Sequence, residues 1–357
     1  MNTCRREEKR STQDGKRIAY FDLMKGICIT LVVIEHCNEL FDIWFSEELW
    51  SVLEHLRMPL YFFLSGMFFK EYTCFCDFLI HKLNKIIVPY VFFTVIDVCF
   101  MVLYEKLSVE PFVLIRTLGA GLLYGTAHLW FLRTLFVANV FYYGFNHLVV
   151  KKYGALKSVS FLLVVVLVAY MIKNIIGDYS GLYNMYNVVI GALLVMPFFY
   201  VSNSIRVYVN QYMANKIHVL CLAVVFALIA FLTSNGGVYL NSGKIENNIL
   251  LFYVAALSSI LCVMCFCYLV KRLWYFSYVG RYSLIVYAIH YGLIITIMHY
   301  CPKISIGMCC CVVLAIMPVM IWFFKKFFPA FVAQRDIFVY EKGKVKVDWN
   351  VFSLKNR

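Results

Sequence analysis

The chain has few charged residues and little glycine or proline. Only 15% of its 357 residues are Asp, Glu, Lys or Arg, and Gly and Pro number 18 and 7. An ordinary soluble domain has about 25% charged residues, and a collagen-like chain needs far more glycine and proline. With 62% apolar residues and a mean hydropathy of +0.76, the chain cannot bury its apolar surface in one aqueous core. These values exclude a soluble enzyme and predict a polytopic membrane protein.

Ten apolar stretches are long enough to cross about 30 Å of hydrocarbon, which takes about 20 residues per helix. They are residues 20–40, 50–69, 86–104, 128–149, 158–176, 184–202, 217–234, 248–270, 282–300 and 304–324. The sequence therefore predicts an all-α transmembrane helical bundle over 18–328, between a basic tail (1–17) and a short tail (329–357). The stretch 111–125 is too short and glycine-rich to cross, and is expected to be re-entrant or interfacial.

The distribution of basic residues gives the predicted orientation. With the N-terminus in the cytoplasm, most lysines and arginines fall in the tails and inner loops, as the positive-inside rule requires. Both termini are therefore predicted to be cytoplasmic, and a multi-pass location in the inner (plasma) membrane follows. The net charge of +13 is explained by this topology, and we expect no nucleic-acid partner.

The 14 cysteines predict neither a disulfide framework nor a metal site. Most of them lie inside apolar runs, such as the triplet Cys309, Cys310 and Cys311. Zinc ligation requires thiolates with polar support around them, which these runs do not offer. The cysteines are interpreted as apolar filler in helices.

The first predicted span carries a lysine and a histidine on one face. Lys25 and His36 are eleven positions apart, which places them about 20° apart around a helix and about 16.5 Å apart along it. One interpretation is that Lys25 only reaches the inner interface and His36 only ends the helix. The other is that Lys25 holds an anionic cofactor at the inner mouth and His36 is a base at the far end. A coenzyme A thioester has this extended shape.

Other ionisable residues are also divided between the inner and outer ends of the predicted spans. Ionisable residues inside a membrane are energetically costly and are usually functional. Histidines fall in the outer halves of predicted spans and cations at the inner ends: the outer set is His36, His55, His128 and His290, and the inner set is Lys25, Lys82, Lys85 and Arg281. Lys82 and Lys85 share one helical turn, which suits phosphate binding, although a pair that only sets topology looks the same. Arg133 lies below the outer interface and needs a partner.

These residues also carry a family resemblance. The chain resembles the acyltransferase 3 family of integral-membrane proteins, which includes O-acetyltransferases of surface polysaccharides and fucose 4-O-acetylase-like members. The matching elements are Lys25-x10-His36, Phe62-Phe63-Leu64-Ser65-Gly66, His128-Leu129-Trp130-Phe131-Leu132, and Gly280-Arg281-Tyr282-Ser283 followed by Tyr287 and His290. The family's inner Arg-x-x-Arg pair appears here as Lys82-x-x-Lys85, which keeps the charge and loses the bidentate geometry.

The resemblance implies transfer of an acyl group, usually acetyl, from cytoplasmic acyl-CoA to a sugar hydroxyl in the cell envelope, by a single-module member of the family. His36 is expected to be the general base. Glu54 or a carboxylate from another span is expected to orient its ring, and Arg133 or His128 to stabilise the oxyanion. Acyl-CoA, as donor substrate, is expected to bind Lys25, Lys82, Lys85 and Arg281, and the acceptor to bind Trp130, Tyr287 and His290. Direct transfer and an acetyl-histidine intermediate are both compatible with this set.

Two other functions are compatible with many spans and buried charges. A transporter or flippase of lipid-linked sugars explains intramembrane Arg and His residues as a substrate path, but predicts no dependence on acyl-CoA. An acyltransferase acting on cytoplasmic or lipid acceptors has the same chemistry with the acceptor on another side. The acceptor sugar, the acyl chain and the oligomeric state are not specified by the sequence.

Overall fold

The computed structural model describes residues 18–41, 47–103, 110–124, 128–177, 183–209, 215–341 and 343–352. The predicted basic tail, 1–17, lies outside these ranges. The helices are α1 (Ala19–Phe41), α2 (Glu47–Met67), α3 (Phe75–Lys82), α4 (Val88–Leu103), α5 (Pro111–Tyr124), α6 (Trp130–Phe145), α7 (Ala155–Ile176), α8 (Tyr183–Ile205), α9 (Lys216–Thr233), α10 (Ile249–Val270), α11 (Trp274–Arg281), α12 (Ser283–Tyr300) and α13 (Ile306–Phe327). One π-helical turn, Leu83–Ile87, joins α3 to α4, and another, Asn146–Val150, extends α6.

Two short antiparallel hairpins interrupt this helical architecture. The strands are β1 (Val238–Tyr239), β2 (Lys244–Ile245), β3 (Phe338–Glu341) and β4 (Lys344–Val347). Val238 pairs with Ile245 in the first hairpin, and Phe338 pairs with Val347 in the second. The sequence predicted neither hairpin, because strands of two to four residues produce no periodic signal.

Seven helices among the described residues are long and apolar enough to cross a membrane. They are Phe75–Val102, Ala155–Ile176, Met185–Ile205, Lys216–Thr233, Ile249–Val270, Ser283–Tyr300 and Ile306–Phe327. The other three predicted spans form α1, α2 and α6, whose ionisable residues make them less apolar. The helical bundle is therefore confirmed, whereas ten crossings with both termini in the cytoplasm stay predictions.

The stretch 111–125 forms the short apolar helix α5. Phe112 and Ile115 on this helix are 76% and 71% exposed. An exposed apolar surface of this kind suits contact with lipid or the interfacial region, in line with the expected interfacial piece.

Glycines bring two pairs of helices, α1 with α11 and α2 with α8, into direct backbone contact. A Cβ atom at Gly26 of α1 would overlap the carbonyl of Phe276 in α11, and a Cβ at Gly280 would overlap the backbone of Asp22 and Gly26. A Cβ at Gly66 of α2 would overlap the backbone of Phe199 in α8. Small residues allow such close helix packing in membranes, and here they fix the position of Lys25, which precedes Gly26.

Candidate active site

A cavity of about 450 Å³ lies between α1, α2, α6 and α12 and the π-helical turn after α3. Four lysines line it: Lys25, Lys70, Lys82 and Lys85. The rest of its lining is mainly apolar and aromatic, with Tyr61, Phe131, Leu132 and Tyr287 among the residues. A site that combines clustered ammonium groups with an apolar wall suits a ligand that carries phosphates and a long, less polar arm.

Aromatic residues of the cavity wall contact both the side chain and the backbone of Lys25. The ammonium of Lys25 lies 5.0 Å from the ring centroid of Phe68, and the hydroxyl of Tyr61 donates to the Lys25 carbonyl at 3.1 Å. Burial, with a further contribution from Asp77, raises the pKa of Tyr72 in the cavity wall to about 12. Tyr72 therefore stays a neutral hydrogen-bond donor beside the lysines.

The structure groups the predicted donor-binding cations only in part. Lys25, Lys82 and Lys85 share the cavity, together with Lys70, which the sequence analysis did not select. Arg281 is exposed and lies 5.4 Å from the ring of Tyr282, outside the cavity lining, although Ser283 and Leu284 just after it line the cavity. Lys70 lies between α2 and α3, in a turn that lines the same cavity.

Three histidines from three helical regions meet around one tyrosine. The rings of His36 and His290 lie 5.1 Å apart. Tyr291 stacks on His128 with ring centroids 5.1 Å apart and an interplanar angle of 17°, and it meets His36 edge-on at 5.5 Å. We call His36, His128, His290 and Tyr291 the histidine cluster. The sequence analysis selected its histidines and did not select Tyr291.

Hydrogen bonds assign the protons on two of these rings. Nδ1 of His290 lies 2.7 Å from the carbonyl of Tyr287 and 3.1 Å from that of Val286. Carbonyls only accept, so Nδ1 carries the proton and Nε2 offers its lone pair. Nε2 is buried and has no hydrogen-bond partner among the described residues. Nδ1 of His36 likewise faces Oε2 of Glu39 at 2.9 Å, which leaves Nε2 of His36 as a base.

His128 has a carboxylate partner that the sequence analysis missed. Its Nε2 lies 3.3 Å from Oδ1 of Asp97, a distance suited to an ion pair, although the alignment does not meet that of a hydrogen bond. Both side chains are nearly buried, at 8% and 11% exposure. Asp97 is an acidic residue within the apolar run of α4, so the rule that intramembrane carboxylates are functional could have found it.

The carboxylate beside His36 belongs to Glu39, whereas Glu54 contacts a different element. Oε2 of Glu54 accepts from the backbone N–H of Val238 in β1 at 3.1 Å. Glu35 forms an ion pair with Arg57, whose guanidinium lies 4.8 Å from the ring of Trp50. Glu39, and not Glu54, is therefore the carboxylate in contact with Nδ1 of His36, and orientation of this ring by Glu54 stays a prediction. Glu39 is one helical turn further along α1.

The other residues selected from the sequence contact neighbouring parts of the bundle. Arg133 donates from its guanidinium to the carbonyl of Leu123 at 3.3 Å, and its buried Nε has no hydrogen-bond partner in the described part of the chain. Trp130 is half-buried against Phe131. The fully buried ring of His55 packs on Phe252, its Nδ1 lies 2.8 Å from the Ser51 carbonyl, and its buried Nε2 has no hydrogen-bond partner among the described residues.

Tyr287 borders both the cavity and the histidine cluster. Its side chain lines the cavity, and its hydroxyl donates to the carbonyl of His128. Its own carbonyl accepts from Nδ1 of His290. Tyr287 therefore lines the cavity and is also hydrogen-bonded to the backbone of His128 and to the ring of His290.

Among the described residues, no group of three or more His, Cys, Asp or Glu side chains is arranged to hold a metal ion. A family model described as an acyltransferase domain matches residues 18–325. No curated protein and no solved structure matches the chain. The matched range contains both the lysine-lined cavity and the histidine cluster.

Proposed function

The chain belongs to the acyltransferase 3 family, and we propose that it is a membrane O-acetyltransferase that uses acyl-CoA as donor. The acceptor in this proposal is a hydroxyl of a sugar or surface-polysaccharide unit. Its site of action is the inner (plasma) membrane, with the lipid bilayer as its surroundings. The observation that carries the proposal is Tyr287, which joins a lysine-lined cavity to a histidine cluster.

The cavity supports binding of the donor. Lys25, Lys70 and Lys82 supply charge for the phosphates of coenzyme A, and Lys85 adds to them when its ammonium is available. Lysine binds phosphate as a point charge without a fixed fork geometry, so the replacement of arginine by lysine in this pair is compatible with the role. The apolar walls suit the pantetheine arm, which extends towards Tyr287.

The histidine cluster supports the acyl transfer step. Nε2 of His36 takes the proton from the acceptor hydroxyl while the oxygen attacks the thioester carbonyl carbon. The C–O bond forms, the C–S bond breaks, and the proton on His36 passes to the leaving thiolate. Glu39, 2.9 Å from Nδ1, orients the ring and stabilises the imidazolium. His36 and Glu39 have 23% and 60% exposed side chains, so an acceptor can approach from their side.

Two neighbouring groups support the developing charge. His128, paired with Asp97, and Arg133, with its unpartnered Nε, lie near Tyr287 and suit stabilisation of the oxyanion. His290 has its proton fixed on Nδ1. Its bare Nε2 can accept a hydrogen bond from the acceptor and orient the hydroxyl towards His36.

Acetyl transfer from labelled acetyl-CoA tests this function. Inverted membrane vesicles expose the predicted cytoplasmic face, so label should enter membrane glycans in vesicles with the protein and not in vesicles without it. Right-side-out vesicles should incorporate none, because acetyl-CoA does not reach the inner mouth. A transporter of lipid-linked sugars would show no acetyl-CoA dependence in either orientation, and that result would overturn the proposal.

A further inference from the structure

The chain continues past the family match into a segment that folds back on the helical bundle. We define the C-terminal segment as residues 328–352, beyond the matched range 18–325, with β3, β4 and a short 3₁₀ turn. It has its own small core of Ala330, Ile337 and Val351. Phe331 stacks on Phe92 of α4, with ring centroids 4.9 Å apart, and this contact places the segment beside the start of α4.

One buried asparagine binds the backbone of this segment like a neighbouring strand. Oδ1 of Asn84 accepts from the N–H groups of Ile337 and Phe338, each at 2.9 Å, and its Nδ2 donates to the Phe338 carbonyl at 2.7 Å. Asn84 is 2% exposed and lies in the π-helical turn Leu83–Ile87. Such turns are rare and are often found at functional sites. Three hydrogen bonds from one buried side chain dock the segment firmly.

The next residue in the same turn connects the segment to the donor cavity. Nζ of Lys85 donates to the carbonyl of Ala333 at 2.9 Å and lies 2.9 Å from Oδ1 of Asp336. Both partners belong to the C-terminal segment, yet Lys85 also lines the cavity. A carboxylate from outside the family match therefore contacts one of the cations proposed to bind the donor.

We propose that Asp336 is a positioning residue that controls donor affinity by competing with donor phosphates for Lys85. This inference rests on the proposed function, because it takes coenzyme A as the ligand of the cavity. When a phosphate group enters, the Lys85 ammonium exchanges the carboxylate of Asp336 for the phosphate. The C-terminal segment stays docked through Asn84 and Phe331.

The exchange involves an ion pair whose side chains are partly exposed, while the Oδ1 atom of Asp336 is itself buried and makes no hydrogen bond among the described residues. The Lys85 and Asp336 side chains have 33% and 40% exposure, and exposed pairs contribute little net stability. A phosphate carries more negative charge than one carboxylate and offers more acceptor oxygens. Loss of the Asp336 charge should leave Lys85 more attractive to phosphate, while the Asn84 hydrogen bonds prevent release of the segment.

Binding measurements on the purified full-length protein test the competition. The ligands are coenzyme A and pantetheine, which has the same arm without phosphates, and the variant is Asp336→Asn. We expect a two- to fivefold lower Kd for coenzyme A, the range that corresponds to a partly exposed ion pair, and an unchanged Kd for pantetheine. High salt should reduce the difference, because screening weakens exposed charge interactions.

Two further variants separate competition from a general structural effect. Glu341→Gln removes the exposed ion pair with Lys346 in the same segment and should leave both Kd values unchanged. In a Lys85→Met background, Asp336→Asn should have no effect on coenzyme A binding.

Unchanged or weaker binding of coenzyme A by Asp336→Asn would overturn the inference and leave the proposed function in place. An equal shift for pantetheine, or a shift that persists without Lys85, would do the same. A wild-type protein that binds no coenzyme A would overturn both.

Discussion

The imidazole of His36 lies 5.1 Å from that of His290, a ring contact between α1 and α12. Proton positions make the two rings unequal partners. His36 is partly exposed and has a carboxylate on Nδ1, whereas His290 is fully buried and donates Nδ1 to backbone carbonyls. His36 is therefore suited to gain and lose a proton during the reaction, and His290 is suited to stay neutral and orient a hydroxyl.

Glu39→Gln should lower kcat about tenfold and leave the KM for acetyl-CoA unchanged. The variant keeps the side chain near Nδ1 of His36 and removes the charge that stabilises the imidazolium, and about 1.4 kcal/mol of transition-state stabilisation corresponds to tenfold in rate. Glu71→Gln, which breaks an exposed ion pair with Lys151, is the matched control. Steady-state kinetics with Glu39→Gln indistinguishable from wild type would remove Glu39 from the site.

Tyr291→Leu should lower kcat about three- to tenfold, whereas Tyr291→Phe should retain nearly full activity. The ring stacks on His128 and meets His36 edge-on, and aromatic pairs of this kind contribute about 0.5–1.5 kcal/mol. Phenylalanine keeps both contacts and loses only the hydroxyl. Coenzyme A binding should be the same in both variants; equal loss of activity in both would assign the role to the hydroxyl instead of the ring.

Asp97→Ala should destabilise the fold more than Asp97→Asn. Removing one partner of a buried ion pair costs about 3–5 kcal/mol, and the amide of asparagine still offers His128 an acceptor oxygen. Thermal unfolding in detergent measures the difference. Asp77→Ala, which replaces an acidic residue at the start of α3, is the control for loss of charge. Equal unfolding temperatures for wild type and Asp97→Ala would show that His128 does not depend on Asp97.

Gly280→Ala should separate α11 from α1 and lower both stability and activity. An added Cβ would overlap the backbone of Asp22 and Gly26, and overpacking of this kind costs about 1–3 kcal/mol. Gly119→Ala, whose Cβ would have no heavy atom within 4 Å, should unfold at the wild-type temperature or above. A Gly280→Ala protein as stable as wild type would contradict the packing that positions Lys25.

The sequence indicates site residues best where polar side chains occur inside apolar spans. Lys25, His36, His128 and His290 are polar groups in apolar surroundings, so their cost is visible without a structure. The same argument applied to Asp97 would have added the partner of His128. Seven of the ten predicted spans are found among the apolar helices. The other three correspond to α1, α2 and α6, which carry more polar and ionisable residues, and ten crossings stay a prediction.

Other residues of the site have no comparable signal in the sequence. Tyr291 is one aromatic residue among many, and only the packing of α12 against α1 shows that it contacts two histidines. The sequence indicated Glu54 as a partner for His36, whereas the structure places Glu39 beside its Nδ1 and Glu54 against the first hairpin. The contact between Lys85 and Asp336 joins residues that are distant in the chain. The sequence of the C-terminal segment, with its mixed charges and short strands, does not indicate where the segment docks.

Acetyl transfer by His36→Ala in inverted vesicles tests directly whether His36 is the general base. Labelled acetyl-CoA is the donor, membrane glycans are the acceptor, and His299→Ala, an exposed histidine of α12, is the control at equal expression. Wild type and His299→Ala should incorporate label at the same rate, while His36→Ala should lose at least a hundredfold, the lower range for a general base. Equal incorporation by His36→Ala and wild type would contradict the account, because His36 would then have no part in the chemistry.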